Sequence, residues 1–119
     1  AKTARQHFPW THLLHSAKGR AKKKQVPFTI DAIWAKGRWT GFCEVTGLQF
    51  DMRMPGRSGP TMRSPSIDRI IPSLGYTPDN CRFILWSINA GKGEGTDKDF
   101  LALCKAFVKK MNDIIGLQP

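Results

Sequence analysis

The sequence predicts an α+β fold, in which a β-hairpin carries a short helix and further helices flank this unit on both sides. Two apolar runs of strand type, at 66–71 and 81–86, are separated by a segment rich in Pro, Gly, Asp and Asn. This pattern is typical of a β-hairpin with a long loop. Ile84, Leu85 and Ile88 follow at helical spacing, so we expect a helix that packs across the hairpin.

A chain of 119 residues is long enough for one domain with a modest core, which we expect to span 1–119. Within it, 1–42 is the basic helical part, 43–95 the hairpin-helix core and 96–119 the C-terminal helix. No apolar run approaches the roughly 20 residues that span a bilayer, and the N-terminus has no secretory signal pattern. We therefore expect a cytoplasmic protein with no membrane partner.

The charge balance is strongly basic, with 19 Lys and Arg against 9 Asp and Glu and a net charge of +10. A polyanion is therefore the expected partner, and nucleic acid is the leading choice. An acidic membrane surface is the alternative, but no helix has the long Trp- and Leu-rich face that such binding requires.

The first helix is predicted to begin at Pro9, because proline suits the first helical turn. One face is apolar at helical spacing: Trp10, Leu13, Leu14, Ala17 and Ala21. The other faces carry five cations: Lys18, Arg20, Lys22, Lys23 and Lys24. No acid precedes Asp31 to pair with them, so we expect contacts to nucleic-acid phosphates, the alternative being a solvated face.

Pro27 ends the first helix, because the residue before a proline leaves the helical region. A second helix is predicted over 30–36, with Thr29 as its N-cap and Gly37 as its stop. Its core-facing residues are predicted to be Ile30, Ile33 and Trp34. The segment 43–50 is expected to form an edge strand or a tight turn against the hairpin.

The irregular segment 51–65 is predicted to be a long loop, and such loops in compact domains are often functional. Its arginines are candidates for phosphate contacts, with a merely solvated loop as the alternative: Arg53, Arg57 and Arg63. The last helix is predicted to begin after the N-cap Thr96, with Asp97 and Asp99 at its positive end. Its broad apolar face predicts a packing role.

The three cysteines, Cys43, Cys81 and Cys104, are an odd number, which argues against a disulfide framework. We expect reduced and largely buried thiols. Scattered thiols without a suitably spaced histidine also predict no structural zinc. The histidines His7, His12 and His15 are expected on the surface or facing phosphates, the alternative being that one of them supplies a base.

The hairpin-helix unit gathers Asp68, Asn80 and Asn89 into one small region. Asp68 is an anionic oxygen donor and Asn89 a neutral one. Two oxygen ligands that leave positions open for water and phosphate suit Mg²⁺ or a similar divalent ion.

This unit resembles the HNH nucleases, also called ββα-metal or His-Me finger nucleases. That family has Asp-His-Ile at the end of the first strand, Asn before the second, and Asn-x-x-Lys or Asn-x-x-His on the helix. The corresponding residues here are Asp68-Arg69-Ile70, Asn80 and Asn89-x-x-Lys92. The run Cys43-Glu44-Val45-Thr46-Gly47 is similar to the segment that commonly precedes them. The resemblance covers 43–92, and the layout is most similar to small bacteriophage HNH proteins, which implies a bacterial host cell.

The resemblance implies a ββα-metal core and a metal-dependent DNA endonuclease that hydrolyses phosphodiester bonds without a small-molecule cofactor. Asp68 and Asn89 would hold Mg²⁺ or Mn²⁺, and Asn80 would orient the base or brace the loop. Lys92 would place a positive charge near the phosphate, and Arg82 joins the residues expected to contact nucleic acid. Many members bind zinc through two Cys-x-x-Cys pairs; here the first is reduced to Cys43-x-x-Thr46 and the second is absent.

Each of these roles has a structural alternative. Asp68 can simply accept hydrogen bonds from backbone amides, Asn80 can support a turn, Asn89 can be a helix-end residue, and Lys92 can be solvated.

Arg69 departs from the family pattern, which has histidine as the general base at this position. Arginine stays protonated and cannot accept a proton at neutral pH. Arg69 would then clamp the scissile phosphate, with water activated by the metal or by another group such as Tyr76 or a histidine. The alternative is a catalytically inactive nucleic-acid-binding protein on the same fold, for example an accessory to phage DNA packaging or repair. An RNA-binding module would need an exposed aromatic platform that this sequence lacks.

Overall fold

The computed structural model describes residues 8–52 and 59–117, and within these ranges the predicted α+β fold is confirmed. Arg53 and Arg57, which the sequence suggested as phosphate contacts, lie outside the described residues. The main elements are α1 (Thr11–Lys24), α2 (Ala32–Arg38), β1 (Pro65–Arg69), β2 (Cys81–Leu85), α3 (Trp86–Lys92) and α4 (Asp97–Gly116). No helix in the described ranges is both long and apolar enough to cross a membrane.

The centre of the fold is the antiparallel β1–β2 hairpin. Its register pairs Ile67 with Phe83 and Asp68 with Arg82. Because successive side chains along a strand point to opposite faces, the first pair faces away from the second. One face of the hairpin therefore carries apolar core residues, and the other carries a charged pair.

The apolar face of the hairpin packs on an aromatic core. The Phe83 ring stacks on Trp34 at 5.2 Å between centroids and meets Trp39 edge-on at 5.0 Å. Trp39 in turn stacks on Phe50 at 5.1 Å, and Ile30 is buried beside this cluster. Aromatic rings bury large apolar areas, so this cluster supplies much of the stabilisation of a small domain.

Helix α1 follows the predicted pattern, with a start two residues later than Pro9. Ala17 and Ala21 are buried against the core, and the helix ends at Lys24. Gln25 takes a left-handed conformation with φ of 55°, and its amide bonds back to the helix. The chain then turns into the extended segment before α2.

The start of α2 differs from the prediction. Asp31, and not Thr29, is the N-cap, and its carboxylate accepts a hydrogen bond of 2.9 Å from the Trp34 amide. Gly37 lies within the helix. The shifted start places Ile33 on the solvent side, with 83% of its surface exposed, so its predicted place in the core was wrong.

The segment before β1 forms a tight turn, one of the two predicted alternatives. The Cys43 amide donates to the Leu48 carbonyl at 2.8 Å, and the Gly47 amide returns to Cys43 at 2.9 Å. Glu44 joins this turn to the edge of the hairpin. Its carboxylate accepts from the Phe83 amide at 2.7 Å, and its own amide donates to the Phe83 carbonyl at 3.0 Å.

The three cysteines are free thiols, as predicted; Cys43 and Cys81 are buried, and Cys104 is half-buried. Burial raises the pKa of Cys81 to about 12, which keeps this thiol protonated. Burial also raises the pKa of Cys43, but hydrogen bonds from Thr46 and the Leu85 amide lower it, and the net pKa is below the ordinary value.

Helix α4 begins with the predicted cap. The Thr96 hydroxyl accepts from the Asp99 amide, and the Asp99 carboxylate accepts from the Thr96 amide. The helix packs on α3 near its start, where the Phe100 ring lies against Gly91. No residue of α4 is buried, so most of its apolar face meets solvent.

The turn after β1 is held against the segment before α2 by close backbone contact at Gly75. The Tyr76 amide donates to the Pro27 carbonyl at 2.8 Å, and a β-carbon at Gly75 would lie 2.6 Å from that oxygen. We expect Gly75→Ala to lower the free energy of unfolding by about 1–3 kcal/mol in urea titrations. Gly37→Ala is the control, because its β-carbon meets nothing within 4 Å and alanine favours a helix by up to about 1 kcal/mol. Equal effects of the two substitutions would contradict this packing.

Candidate active site

An open cavity of about 300 Å³ lies between α1, β1, α3 and the turn that follows β1. Its charged and polar lining comes from these four segments and from the residues that follow α3: Arg20, Lys24, Ser66, Asp68, Arg69, Tyr76, Asn89 and Glu94. The structure therefore brings together three predicted site residues, Asp68, Arg69 and Asn89, with two predicted nucleic-acid contacts from α1. Neither Asn80 nor Lys92 lines this cavity.

Asn89 is oriented by the hairpin. Its amide nitrogen donates to the Ser66 hydroxyl at 3.2 Å and to the Ile67 carbonyl at 3.1 Å. A carbonyl can only accept, so the Asn89 nitrogen must face β1 and its carboxamide oxygen is turned away from the strand. Within the described residues this oxygen accepts no hydrogen bond, so it is available to a ligand in the cavity.

Asp68 is buried, and its charge is balanced inside the protein. Its Oδ2 accepts from Arg82 Nε at 2.9 Å and lies 3.3 Å from Lys92 Nζ. Its Oδ1 has a longer contact of 3.4 Å with the same ammonium. The strand register explains the first bond, because it places Arg82 directly opposite Asp68.

Lys92 is enclosed, with 1% of its side chain exposed. Besides Asp68, its ammonium contacts Asp97 Oδ1 at 3.1 Å and the carbonyls of Arg69 at 3.1 Å and Ile70 at 3.0 Å. The last turn of α3 thus inserts a cation between β1 and the start of α4. The family resemblance implied a charge near the phosphate, with a solvated lysine as the alternative; here the ammonium is held within the fold and is not solvated.

Arg82 also belongs to this ionic cluster. Its guanidinium bonds Asp97 at 2.6 Å as well as Asp68, and only 12% of its side chain is exposed. Burial lowers the pKa of Arg82, but the bonds to the two carboxylates outweigh it and raise the pKa. The same bond from Arg82 holds the pKa of Asp97 below its ordinary value. Arg82 was expected to contact nucleic acid, and here its guanidinium joins β2 to α4.

Arg69 is nearly buried and is braced by the turn after β1. Its Nη1 donates to the Pro72 carbonyl and, at 3.4 Å, to the Leu74 carbonyl. Its guanidinium lies 5.0 Å from the centre of the Tyr76 ring. The Tyr76 hydroxyl accepts from Arg20 Nε at 3.2 Å. Two guanidinium groups therefore flank one phenol at the cavity.

Asn80 braces the turn, one of the two roles that the family resemblance implies. Its amide nitrogen donates to the carbonyls of Ile71 at 3.1 Å and Gly75 at 2.9 Å, and its oxygen accepts from the Ile71 amide at 2.9 Å. These bonds end β1 before Ile71, two residues earlier than the sequence predicted, and they shape the turn that carries Tyr76.

The basic residues of α1 fall into two groups. Lys18, Lys22 and Lys23 are exposed and form no ion pair with any residue of the described ranges. Lys24, expected to lack an acidic partner, bonds Glu94 at 2.6 Å. That acid is distant in sequence and reaches α1 only through the fold. Arg63 is exposed and donates to the Gln49 carbonyl at 3.1 Å.

Residues 8–52 and 59–117 contain no group of three or more His, Cys, Asp or Glu residues that could hold a metal ion. Asp68 and Asn89 are thus a two-donor set. They fit a hydrated divalent ion, because Asp68 Oδ1 has only the long contact to Lys92 and the Asn89 oxygen is unengaged. Mg²⁺ typically uses one or two protein oxygens together with water and substrate phosphate.

No model of a known protein family matches the chain, and no curated protein matches it. The fold is similar to a solved structure of the rare-cutting HNH restriction endonuclease PacI, with a TM-score of 0.64 and 17% identity. The match covers 92% of this chain and 83% of the PacI chain. It agrees with the predicted α+β fold and shows that this fold is similar to that of an HNH endonuclease.

The enclosure of Lys92 predicts a structural role for its ammonium. We expect Lys92→Met to lower the free energy of unfolding by about 3–5 kcal/mol, because Asp68 and Asp97 lose a shared buried partner. Lys36→Met, at an exposed position on α2, is the matched control and should change stability by less than about 0.5 kcal/mol. A Lys92→Met protein of unchanged stability but weakened DNA binding would instead place this ammonium at the phosphate.

Proposed function

We propose that this protein is an HNH-type endonuclease that hydrolyses phosphodiester bonds in DNA with the help of a divalent metal ion. The observation that carries this proposal is the shared cavity of Asp68 and Asn89 with Arg20, Lys24 and Arg69. Oxygen donors for a metal and cations for a phosphate are two of the requirements of phosphodiester hydrolysis, and an activated water is the third. The similarity of the fold to that of an HNH endonuclease supports the same class of activity.

We infer a DNA substrate, because exposed cations lie beside this cavity and the solved structure with a similar fold is that of a DNA restriction endonuclease. Lys18, Lys22 and Lys23 are exposed on α1, the helix that also contributes Arg20 and Lys24 to the cavity. Cations along one helix can follow the phosphates of a duplex without contacting its bases. The strand passing over α1 would thereby be guided towards Asp68 and Asn89.

Asp68 and Asn89 would hold the metal, which supplies charge stabilisation at the phosphoryl group and at the leaving oxygen. Arg69 is held in place by the Pro72 and Leu74 carbonyls and would clamp the scissile phosphate. Among the bases that the sequence left open, Tyr76 lines the cavity, whereas neither described histidine does. The hydrogen bond from Arg20 fixes the position of the Tyr76 hydroxyl at the cavity.

A second function deserves a test because of two observations. Arg69 stands where a general base is expected, and the Asp68 carboxylate is already paired with Arg82 and Lys92. Both features suit a nucleic-acid-binding protein on the same fold that does not cleave. Such a protein would use α1 and the cavity to bind DNA only.

We expect the purified protein to nick supercoiled plasmid with Mg²⁺ or Mn²⁺ and to stop when EDTA is added. Asn89→Ala removes one proposed ligand and should slow cleavage by about a hundredfold or more. Asn112→Ala, on the exposed surface of α4, is the matched control and should cleave like the wild type.

Wild-type protein that binds DNA but does not cleave it with Mg²⁺, Mn²⁺, Co²⁺ or Ni²⁺ would establish the binding function instead. In that case Arg69→His should gain activity, because a neutral imidazole can take the proton that a guanidinium cannot.

A further inference from the structure

Glu94 places a carboxylate among the cations of the cavity. Its Oε1 lies 2.6 Å from Lys24 Nζ and 4.0 Å from Arg69 Nη2. One oxygen atom is thus approached by cations from two elements, α1 and β1. The hydrogen bond from Lys24 holds the pKa of Glu94 below its ordinary value.

We propose that this oxygen marks a binding subsite for an oxygen of a DNA phosphate, and that Glu94 occupies the subsite until DNA displaces it. The proposal rests on the proposed function for its ligand, a phosphodiester. Carboxylate and phosphate oxygens accept the same charge-assisted hydrogen bonds from Lys and Arg, so the two are interchangeable here. Lys24 and Arg69 would exchange their contacts with Glu94 for contacts with the phosphate.

The position of Glu94 allows its side chain to move away from the two cations. Its side chain is 69% exposed, and exposed ion pairs contribute little to stability. The residue lies in a turn between Gly93 and Gly95, and Gly93 has φ of 54°, a conformation that glycine adopts freely. Moving the carboxylate into solvent therefore breaks the exposed pair with Lys24 and the long 4.0 Å contact with Arg69.

A ligand must compete with the Glu94 carboxylate for the two cations. A single small anion must displace Glu94 with only Lys24 and Arg69 to hold it. A duplex also gains contacts to the exposed lysines of α1, which the small anion cannot reach. Glu94 therefore favours the polymer over free phosphate.

The test compares two substitutions that remove one negative charge each, Glu94→Gln and Asp113→Asn. Asp113 is exposed on α4 and does not line the cavity. Binding to a short duplex is measured in EDTA over a range of salt concentrations, so that cleavage plays no part. Glu94→Gln should bind up to about tenfold more tightly, and its plot of log affinity against log salt should steepen by about one unit. Asp113→Asn should stay within about twofold of the wild type.

Inorganic phosphate provides a second arm, in which Glu94→Gln should bind this ion more tightly than the wild type does. Equal effects of Glu94→Gln and Asp113→Asn on both ligands, or weaker binding by Glu94→Gln, would overturn the subsite. If no variant binds DNA, the proposed function fails, and the phosphate arm alone decides the subsite.

A different feature, the exposed apolar face of α4, carries a second inference. Its apolar residues recur every seven positions in three rows: Phe100, Phe107 and Ile114; Leu101, Val108 and Ile115; Cys104 and Met111. The contact that the structure shows between this face and α3 is at Phe100, whose ring lies against Gly91. The largest exposed fraction in these rows is that of Phe107, at 64%. A seven-residue repeat produces a continuous apolar seam along which a second helix of the same kind can coil.

We infer that this face binds α4 of a second copy of the chain, in antiparallel orientation. The exposed parts of these side chains amount to roughly 600 Å² per chain. Burying them in both chains would remove about 1,200 Å² from solvent, which is the lower limit of stable interfaces. The charges of α4 permit pairing of two copies, because four Lys are nearly balanced by three Asp. Two copies of α1 would repel one another, because α1 carries Lys and Arg with no acid. Antiparallel pairing also keeps the two basic α1 helices apart.

Sedimentation of the protein without DNA should give twice the mass of one chain at tens of micromolar. Phe107→Glu should give the mass of a single chain with an unchanged circular dichroism spectrum. Ile33→Glu, a matched change at an exposed apolar residue of α2, should leave the dimer intact. A wild type that sediments as one chain, or equal masses for the two variants, would overturn the inference.

Discussion

The structure depends on the ionic cluster formed by Asp68, Arg82, Lys92 and Asp97. It contains two carboxylates and two cations, and one residue comes from each of β1, β2, α3 and α4. Asp68 and Lys92 are buried and Arg82 is largely buried, and buried charges are tolerated only when they are paired and hydrogen-bonded, so β1, β2 and α3 must keep their relative positions. Asp97 is half exposed and adds the contact to α4. The cluster therefore ties the hairpin to both helices that follow it.

The same cluster shapes the chemistry of the cavity. Asp68 belongs to both, because its carboxylate is paired on one side and lines the cavity with Asn89 on the other. A neutralised carboxylate attracts a metal ion less strongly than a free one, so a phosphate brought by the substrate would complete the charge balance. Under the proposed function, DNA and a metal ion would therefore bind together, and the surface cations would attract the duplex.

Charge and apolar surface are separated along the chain. The cations of α1 border the cavity, where Glu94 pairs with Lys24. Helix α4 presents an apolar face and nearly balanced charge. Substrate and a second chain would therefore approach different surfaces. Such separation lets a strongly basic protein self-associate without bringing its basic helices together.

Much of the fold was determined by the sequence itself, because local signals suffice for it. Spacing of apolar residues located α1, turn residues located the hairpin, and Thr96 with Asp99 marked the start of α4. The helix after the hairpin was predicted from Ile84, Leu85 and Ile88, but the first two of these belong to β2 and α3 begins at Trp86. Ile33 was misplaced because two residues can cap the same helix and only packing selects between them. The pairing of Lys92 and Arg82 with Asp97, and of Lys24 with Glu94, was decided by the tertiary structure alone, because these partners meet only when distant elements pack. Sequence specifies which side chains can carry charge, whereas folding decides which of those charges remain free for a ligand.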